Sequence, residues 1–359
     1  MGIEFIKPGI NINFLGQKKW ASVISALFIL LGIISLMVKG GPRYGIDFAG
    51  GTIIQVRFEK PVSADEIRSG LKEIGLGRSA VQPFGHEGSE YLIRAQETSE
   101  ELKRLADGIK DILEEKLGKG GVEVRRVEMV GPKVGEDLRR KALLALFYAI
   151  LAIGIYISGR FEMKWGISAA VGISLLAIVY FLSLLDVPLT FLVIGAFVTT
   201  LVLYIILDLR FALGAVIALI HDVFIAVGIF SLMDKEIDLP VIAALLTIMG
   251  YSLNDTIVVF DRIRENLRKS YKEKFSNLIN RSINEVLSRT ILTSGTTLLV
   301  LMALFIWGGE VIHNFIFALL IGVIVGTYSS IFIASPILVA LEERTLLFKT
   351  AKGYKLKVK

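Results

Sequence analysis

The feature that most restricts what this chain can fold into is a series of long apolar runs. The first run is Trp20 to Val38, and others of about 17–25 residues recur after residue 141, a length that crosses the roughly 30 Å hydrocarbon core of a bilayer. Hydrophobic residues make up 53% of the 359, whereas soluble domains are about 45–50% apolar. The sequence therefore predicts an α-helical polytopic membrane protein.

Eight candidate membrane spans can be placed on the sequence. They are 20–38, 142–158, 166–185, 188–207, 211–233, 239–260, 291–307 and 312–341. The last is long for one span, so we expect it to bend near Pro336, because proline interrupts helical hydrogen bonding. The pair Arg-Phe precedes two of the spans, at Arg160 and Arg210, which suggests a duplicated helical hairpin. The alternative is that apolar hairpins resemble one another by default.

The segment between the first two spans has mixed charge and short apolar alternations, which predict a soluble domain. Strand patterns cover 52–58, 80–84, 91–95 and 122–130, and helices begin at the capping sequences Ser63–Glu66 and Thr98–Glu101. The second of these helices is expected to end near Leu117. The resulting order β-α-β-β-α-β predicts a ferredoxin-like α+β domain.

The distribution of Lys and Arg predicts the orientation in the membrane. The loop 261–290 carries eight Lys or Arg against four acids and the tail 342–359 carries six against two, whereas the opposite loops contain only Lys235. Because basic loops stay in the cytoplasm, both termini are expected there and the soluble domain outside. No signal-cleavage sequence follows the first run, so we expect this span to be retained. The expected organisation is a cytoplasmic N-terminus and first span (1–38), an extracytoplasmic domain (39–141), a helix bundle (142–341) and a basic cytoplasmic tail (342–359).

Several classes of function are disfavoured by composition. The chain has no cysteine, which excludes disulfides and thiolate metal sites. Its net charge of +6 fits an excess of cytoplasmic Lys and Arg better than nucleic-acid binding. The glycine-rich stretch Gly45–Thr52 (GIDFAGGT) lacks the Lys of a phosphate-binding loop, so its glycines predict a tight turn. We therefore expect no cofactor, no metal ion and no nucleic-acid partner.

Asp255 is the most informative charged residue in a span. It is surrounded by Asn254 and small or hydroxylated residues, and it lies about 9 Å inside Asp261 at 1.5 Å per residue. Arg289 opens the next span at a similar depth, so the two charges are expected to meet. Burial disfavours the ionised carboxylate and a guanidinium favours it, and this balance suits a group that binds and releases protons. The alternative is that Asp255 begins the cytoplasmic loop, which would leave the apolar run 256–260 in water.

A second polar pair, His221 and Asp222, lies about halfway along the apolar run 211–233. A histidine next to a carboxylate within a membrane can carry protons or can fix a contact between helices by hydrogen bonding. The sequence leaves both roles open. The small residues around Gly322 and Gly326 predict close helix packing, and the hydroxyls of 293–297 either pack or line a wet path.

Several stretches together resemble the SecF family, the smaller half of the SecD–SecF accessory of bacterial protein secretion. The resemblance is carried by Tyr44–Thr52 (YGIDFAGGT), Val130–Gly135 (VGPKVG), Ala218–Asp222 (ALIHD), Gly250–Asn266 (GYSLNDTIVVFDRIREN), Leu287–Leu298 (LSRTILTSGTTL) and Gly326–Ser330 (GTYSS). These pieces span most of the chain, and the Gly250 and Leu287 stretches are highly specific.

The resemblance implies a membrane protein of the resistance–nodulation–division superfamily that works with SecD beside the SecYEG channel, with YajC as a further partner. Such proteins use the proton-motive force to move and release preproteins at the outer face of the bacterial plasma membrane. The family motifs place proton flow at Asp255 and Arg289. SecF proteins usually have six spans, so the eight expected here imply an extra hairpin at 161–209.

Three other functions are compatible with parts of the sequence. A small-molecule exporter of the same superfamily would need a second large external domain. An intramembrane protease would need Ser329 or Ser294 together with His221 or His313, and no protease motif accompanies them. A scaffold for SecD would leave Asp255 replaceable. We expect a transport subunit without enzymatic chemistry, with Asp222, His221, Asn254 and Asp261 as secondary site candidates.

Overall fold

A computed structural model describes residues 10–73, 79–84, 89–95, 121–183, 187–269 and 273–351 of the chain. Within these ranges, long apolar helices form a bundle, and a four-stranded sheet lies at one end of it. The helices are α1 (Lys18–Val38), α2 (Ile46–Ala49), α3 (Ala64–Glu73), α4 (Pro132–Ile157), α5 (Trp165–Ser183), α6 (Leu189–Ile206), α7 (Arg210–Leu232), α8 (Leu239–Lys269), α9 (Phe275–Trp307), α10 (His313–Ser329) and α11 (Ser335–Ala351).

In the described ranges, seven helical segments are long and apolar enough to cross a membrane, and a shorter apolar helix covers Phe191–Ile206. The eight predicted spans therefore all correspond to helices, although the fourth of them is shorter than the others. The predicted loop 261–290 is too long, because most of its residues belong to the two flanking helices. Helix α8 continues to Lys269 and α9 begins at Phe275, because Asn266 on α8 hydrogen-bonds to Ser282 on α9 and joins the two extensions.

The last span bends close to the predicted position. A π-helical turn, Ser330–Ala334, joins α10 to α11 immediately before Pro336. The Ser335 hydroxyl donates to the carbonyl oxygen of Ser330 at 2.9 Å and replaces part of the backbone bonding that the turn disrupts.

The soluble domain has the predicted antiparallel sheet. Its strands are β1 (Gly51–Phe58), β2 (Ala80–Phe84), β3 (Glu90–Ala95) and β4 (Val122–Val130), in the order β2-β3-β1-β4. Alternating side chains such as Ile54, Val56 and Ile93 are buried against Ile67 and Leu71 of α3. This strand order is that of the expected ferredoxin-like fold, and the second predicted helix, 98–117, lies outside the described residues.

The turn predicted from the glycine-rich stretch is present. Helix α2 ends at Gly50, whose φ is 74°, and Gly51 follows with a φ of 133°. A Cβ on Gly50 would lie 2.9 Å from the Cα of Pro132, where α4 begins. Glycine is therefore required both for its backbone angle and for this close approach. Helix α4 begins at Pro132, well before the boundary expected at residue 142.

The domain is joined to the bundle through the loop between α7 and α8. The backbone of Gly45 donates to Ile237 and that of Ile237 donates to Arg43, both at 2.8 Å. The side chain of Arg43 pairs with Asp234 at 2.8 Å and with Glu236 at 3.3 Å. A hydrogen bond from Lys39, supported by the charge of Arg43, holds the pKa of Asp234 below its ordinary value. Helix α8, which carries Asp255, thus begins next to the point where the sheet domain joins the bundle.

Helices α5 and α6 form the hairpin expected at 161–209, and the residues at its two ends are in contact with each other. The rings of Phe161 and Phe211 stack with centroids 5.3 Å apart. The carboxylate of Glu162 accepts from the backbone N–H of Phe211 at 2.7 Å and so caps the start of α7. Lys164 donates to the carbonyl oxygen of Leu207 at 2.8 Å. The chain leaves and re-enters the bundle at adjacent positions.

Candidate functional site

The centre of the bundle is built on an unusually close contact between α8 and α10. A Cβ on Gly326 would lie 2.7 Å from the Cβ of Ser252, and one on Gly322 would lie within 2.1 Å of Ile248. The predicted small face of α10 therefore packs as expected. The close approach brings the hydroxyls that follow Gly326 within reach of acidic side chains on α7 and α8.

Asp255 faces this contact and is 2% exposed. Its Oδ2 atom lies 3.2 Å from the hydroxyl oxygens of both Ser294 on α9 and Thr327 on α10. The two hydroxyls also contact each other at 2.6 Å. The two hydroxyls have two protons for these three contacts, so only one of them donates to Asp255 while they bond to each other.

Arg289 does not form the expected ion pair with Asp255 among the described residues. It lies on the same helix as Ser294, five positions earlier, so the two side chains point about 140° apart. Because Ser294 faces Asp255, Arg289 faces elsewhere and lines a surface groove of about 530 Å³ together with Asn254 and Asp261. The groove lies beside the carboxylate site.

Asp261, a secondary site candidate, lies away from the buried carboxylate. Its carboxylate pairs with Arg160 at 2.7 Å, and Arg160 also donates to the Tyr156 hydroxyl at 2.8 Å. The side chain of Arg160 is 40% exposed and that of Asp261 is 45% exposed. The pair ties α8 to the end of α4 at the surface and does not reach Asp255.

His221 and Asp222 form a second buried site, with 6% and 1% exposure. The Nδ1 atom of His221 lies 2.9 Å from Oδ1 of Asp222. The other carboxylate oxygen accepts from Ser252 at 2.6 Å and from Ser329 at 2.8 Å. The Nε2 atom of His221 lies 3.0 Å from the Ser25 hydroxyl on α1. The pair therefore joins α1, α7, α8 and α10.

Most of the hydroxyl side chains that contact the two carboxylates were not predicted from the sequence as site residues. Thr327, Tyr328 and Ser329 follow Gly326 on the small face expected to pack, and Ser329 was otherwise considered only as a protease nucleophile. In the structure Thr327 contacts Asp255, Ser329 contacts Asp222 and the Tyr328 hydroxyl lies 2.9 Å from Ser25. Three consecutive hydroxyls after a small-residue helix face are the signal that could have found them. Ser294 was one of the hydroxyls for which a polar role was left open.

His313, which was considered for a hydrolytic pair, lies beside Phe305 with ring centroids 4.2 Å apart. It is on the domain side of α10, far along the helix from Ser329. No group of three or more His, Cys, Asp or Glu suited to a metal ion occurs in the part of the chain that the structure describes.

The fold and the two buried carboxylates define a class of protein. Ionisable side chains inside a helical bundle are expensive to bury and usually mark a path for ions or protons. The small sheet domain is joined directly to the helix that carries Asp255. The class is a polytopic helical membrane protein with buried ionisable side chains in its core.

Comparisons with known proteins give the family. The model described as "Protein export membrane protein SecD/SecF, C-terminal" matches residues 109–201 and 189–344, and "SecD/SecF GG Motif" matches 34–62. The chain is similar to the protein translocase subunit SecF of Magnetococcus marinus, with 43% identity over 92% of each chain. It is 44% identical to that of Desulfurispirillum indicum over 91% of each. The chain belongs to the SecD/SecF family of protein export membrane proteins.

A solved structure supports the same assignment. The crystal structure of SecDF, a translocon-associated membrane protein from Thermus, matches 96% of this chain with a TM-score of 0.69 and 32% identity. A second SecDF structure, in a super-membrane-facing form, matches 98% with a TM-score of 0.63. This chain spans 40% of the length of the first SecDF chain and 41% of the second.

Proposed function

We propose that this chain is a SecF-type accessory subunit of the Sec export machinery and uses the proton-motive force to promote translocation and release of preproteins. Its partners are SecD, the SecYEG channel, YajC and the translocating preproteins. The printed names of the relatives and the SecDF matches support the export role. The coupling to protons rests on one observation, the burial of Asp255 at 2% exposure with hydroxyl partners alone.

In this proposal Asp255 is the proton carrier. Proton binding removes a buried charge, and proton release restores it, so the packing of α8 against α9 and α10 differs between the two states. Ser294 and Thr327 bond to each other at 2.6 Å and are therefore satisfied in both states. The carboxylate can change its charge without leaving either hydroxyl unpaired.

Arg289 acts through the groove that it lines with Asn254 and Asp261. A positive charge beside the carboxylate site favours the ionised form of Asp255 and so promotes release of the proton. The groove opens on the side of the bundle that carries most Lys and Arg, which the positive-inside rule assigns to the cytoplasm. The soluble domain is then on the outer face of the plasma membrane, where preproteins emerge.

The external domain is the element that the proton moves. Asp47, at the root of the domain, accepts from the backbone N–H of Leu239, the first residue of α8, at 2.9 Å. A shift of α8 caused by Asp255 is thereby passed to the domain without an intervening loop. The chain catalyses no covalent chemistry in this mechanism.

A hydrolytic function is the one alternative that the geometry brings forward, because Ser25, His221 and Asp222 lie in the arrangement of a Ser-His-Asp triad. Ser25 is only 4% exposed, and its Oγ atom is bonded to the Tyr328 hydroxyl. A peptide could reach it only if α1 separated from α10. The test is a Ser25→Ala variant, which removes the hydroxyl that a hydrolase would need. If this variant supports export and gives the same cleavage products as the wild type, a hydrolytic function is excluded.

The experiment that tests the proposed function is precursor processing in cells depleted of their own SecF. The cells receive this chain with its matching SecD, either as wild type or as Asp255→Asn, at equal membrane levels. We expect the wild type to restore export and the variant to leave precursor accumulating. The matched control is Asp137→Asn, which changes an exposed carboxylate paired with Lys141 and is expected to behave as the wild type.

An uncoupler of the proton gradient completes the test. Export in the wild-type cells should fall when the gradient is dissipated, and the residual export with Asp255→Asn should not respond. A variant whose export still follows the gradient fully would overturn the role of Asp255 and leave a scaffold for SecD as the function.

A further inference from the structure

The mechanism proposed above uses Asp255 and gives no role to the other buried ionisable pair, His221 and Asp222. The pair makes polar contacts with three neighbouring helices through Ser25, Ser252 and Ser329. A purely structural contact needs only neutral groups, and burying a histidine and a carboxylate together is costly. The directions of the hydrogen bonds around the pair indicate what it does.

These directions follow from counting protons along the chain of contacts. The Tyr328 hydroxyl has one proton, and its bond to the carbonyl oxygen of Ala21 at 2.6 Å uses it, since a carbonyl can only accept. The 2.9 Å bond between Tyr328 and Ser25 therefore uses the proton of Ser25. Ser25 then has no proton left for His221, so the 3.0 Å contact requires an N–H on Nε2.

The other side of the imidazole requires a second proton. The 2.9 Å contact between Nδ1 of His221 and Oδ1 of Asp222 needs one proton, on the nitrogen or on the oxygen. The Oδ2 atom already accepts from Ser252 and from Ser329, whose contact at 2.8 Å is shorter than its other one, to the carbonyl oxygen of Gly326 at 3.1 Å. The network is complete only when the pair holds one proton more than a neutral imidazole and an ionised carboxylate hold together.

We propose that the His221–Asp222 pair is a second proton-binding site and that its proton sets the direction of the Ser25 hydrogen bond. One proton enters, and the imidazole–carboxylate pair becomes imidazolium–carboxylate or the equivalent imidazole–carboxylic acid. When that proton leaves, the ring keeps one N–H, which stays on Nδ1 beside the ionised Asp222. The Nε2 atom then accepts, so Ser25 donates to it and gives up its bond to Tyr328.

The consequence is a change in the contact between α1 and α10. Two hydrogen bonds of Tyr328 join these helices, one to Ser25 and one to Ala21, and loss of the proton removes the first. Helix α1 leads directly into Lys39 and Arg43, which hold the loop between α7 and α8. The pair thus reaches the root of the external domain by a route separate from α8.

Few other ionisable groups face the pair. Tyr328 faces it from α10, and Asp255 lies three residues after Ser252 on α8. Three further titratable residues of the helices packed on α7 lie well inside their helices: Tyr148 on α4, Tyr251 on α8, which bonds to Thr297, and Asp261 on α8, which pairs with Arg160. The others among the described residues lie nearer the helix ends: Lys18 and Lys19 on α1, Lys141 and earlier residues as well as Tyr156 on α4, Tyr204 on α6, later residues on α8, His313 on α10, Glu342 and later residues on α11, and Arg210 on α7 itself. The pair and Asp255 are therefore the groups through which pH acts at this depth.

The test measures the protonation of His221 directly in the full-length chain. The protein is labelled with nitrogen-15 histidine, placed in lipid nanodiscs and examined by NMR, and His221→Gln identifies the signal of the residue. We expect Nε2 to be protonated near neutral pH, with the second proton either on Nδ1 or on Asp222. In the latter case a carboxylic-acid band appears in the infrared spectrum and disappears in Asp222→Asn. An unprotonated Nε2 beside an ionised Asp222 at every pH at which the chain stays folded would overturn the proposal.

Two tyrosine variants test the link to Ser25. Tyr328→Phe removes the acceptor of the Ser25 proton, which becomes free to donate to Nε2, so the signal of the extra proton should weaken at neutral pH. Tyr251→Phe is the matched control, because its hydroxyl bonds only to Thr297 at 3.2 Å, and it should leave the His221 signal unchanged. An unchanged signal in Tyr328→Phe would contradict the assigned hydrogen-bond directions.

The coupling of this site to export rests on the proposed function, but its protonation does not. The NMR measurement needs no translocation, so a neutral pair would end this inference and leave the Asp255 mechanism intact. Conversely, Asp255→Asn could fail to affect export while His221 still shows the extra proton, which would end only the proposed function.

Discussion

The two buried carboxylates of this bundle differ in how firmly their surroundings hold them. Asp222 has a short contact for each oxygen, to His221 at 2.9 Å and to Ser252 at 2.6 Å, with Ser329 as a third partner at 2.8 Å. Asp255 has two contacts at 3.2 Å, both to one oxygen. The difference indicates that the Asp222 site holds the helices firmly together, whereas the surroundings of Asp255 hold its carboxylate loosely.

The largest expected effect is a difference in protein stability between variants of Asp222 and variants of Asp255. Asp222→Ala leaves His221 and Ser252 without their partner, and breaking a buried charged contact costs about 3–5 kcal/mol. Asp255→Ala leaves Ser294 and Thr327 bonded to each other, so its cost should be about 1 kcal/mol. Thermal unfolding of the two variants in the same detergent measures both. Equal losses of stability would show that the two sites are held alike.

The next effect concerns the helix contact on which both sites depend. Gly326→Ala places a Cβ 2.7 Å from Ser252 and should destabilise the bundle by about 1–3 kcal/mol. Gly250→Ala, on α8, has no atom within 4 Å of the added Cβ and serves as the control, with an expected gain of up to about 1 kcal/mol from helix propensity. The same unfolding measurement applies, and a neutral Gly326→Ala would mean that α10 can move away from α8 freely.

A smaller effect tests whether the two hydroxyls at Asp255 substitute for one another. Ser294→Ala or Thr327→Val alone leaves one donor to the carboxylate, and each should reduce gradient-dependent export by less than about tenfold. The double variant leaves none and should lose more than the product of the single effects, because the pair acts as a unit. Additive losses in the precursor-processing assay would mean that each hydroxyl acts independently.

The smallest effect is expected at the surface. Arg160 and Asp261 are bonded at 2.7 Å but are both exposed to a similar degree, so Arg160→Gln should cost at most about 1 kcal/mol and leave export unchanged. A large loss of export in this variant would bring Asp261 back among the proton-pathway residues. High salt should weaken this pair and leave the buried sites unaffected.

Local patterns predicted most of the fold. The strand at 122–130 and the first span were found within a few residues, because alternation and run length are properties of adjacent residues. The limits of the apolar runs misplaced the ends of α8 and α9, which continue as helices through polar sequence. Asn266 and Ser282, which stabilise those extensions, are 16 positions apart in the chain and carry no local signal.

Part of the candidate site was also predicted from patterns among adjacent residues. A charged residue in an apolar run is conspicuous, so Asp255 and Asp222 were identified directly. Serine and threonine are ordinary in tightly packed membrane helices, so the hydroxyls that contact the two carboxylates could not be distinguished from packing residues. Arg289 was placed by depth alone, and depth does not specify which side of a helix faces a neighbour.

The junction at Glu162 and Phe211 has a practical consequence. Because the hairpin of α5 and α6 starts and finishes at the same spot, the peptide chain on either side is already aligned to continue without it. A gene encoding a direct connection from Glu162 to Arg210 would specify a six-span chain that keeps the helices of Asp222 and Asp255 unchanged. The same position is where a reporter domain could be inserted into the protein without separating the helices on either side.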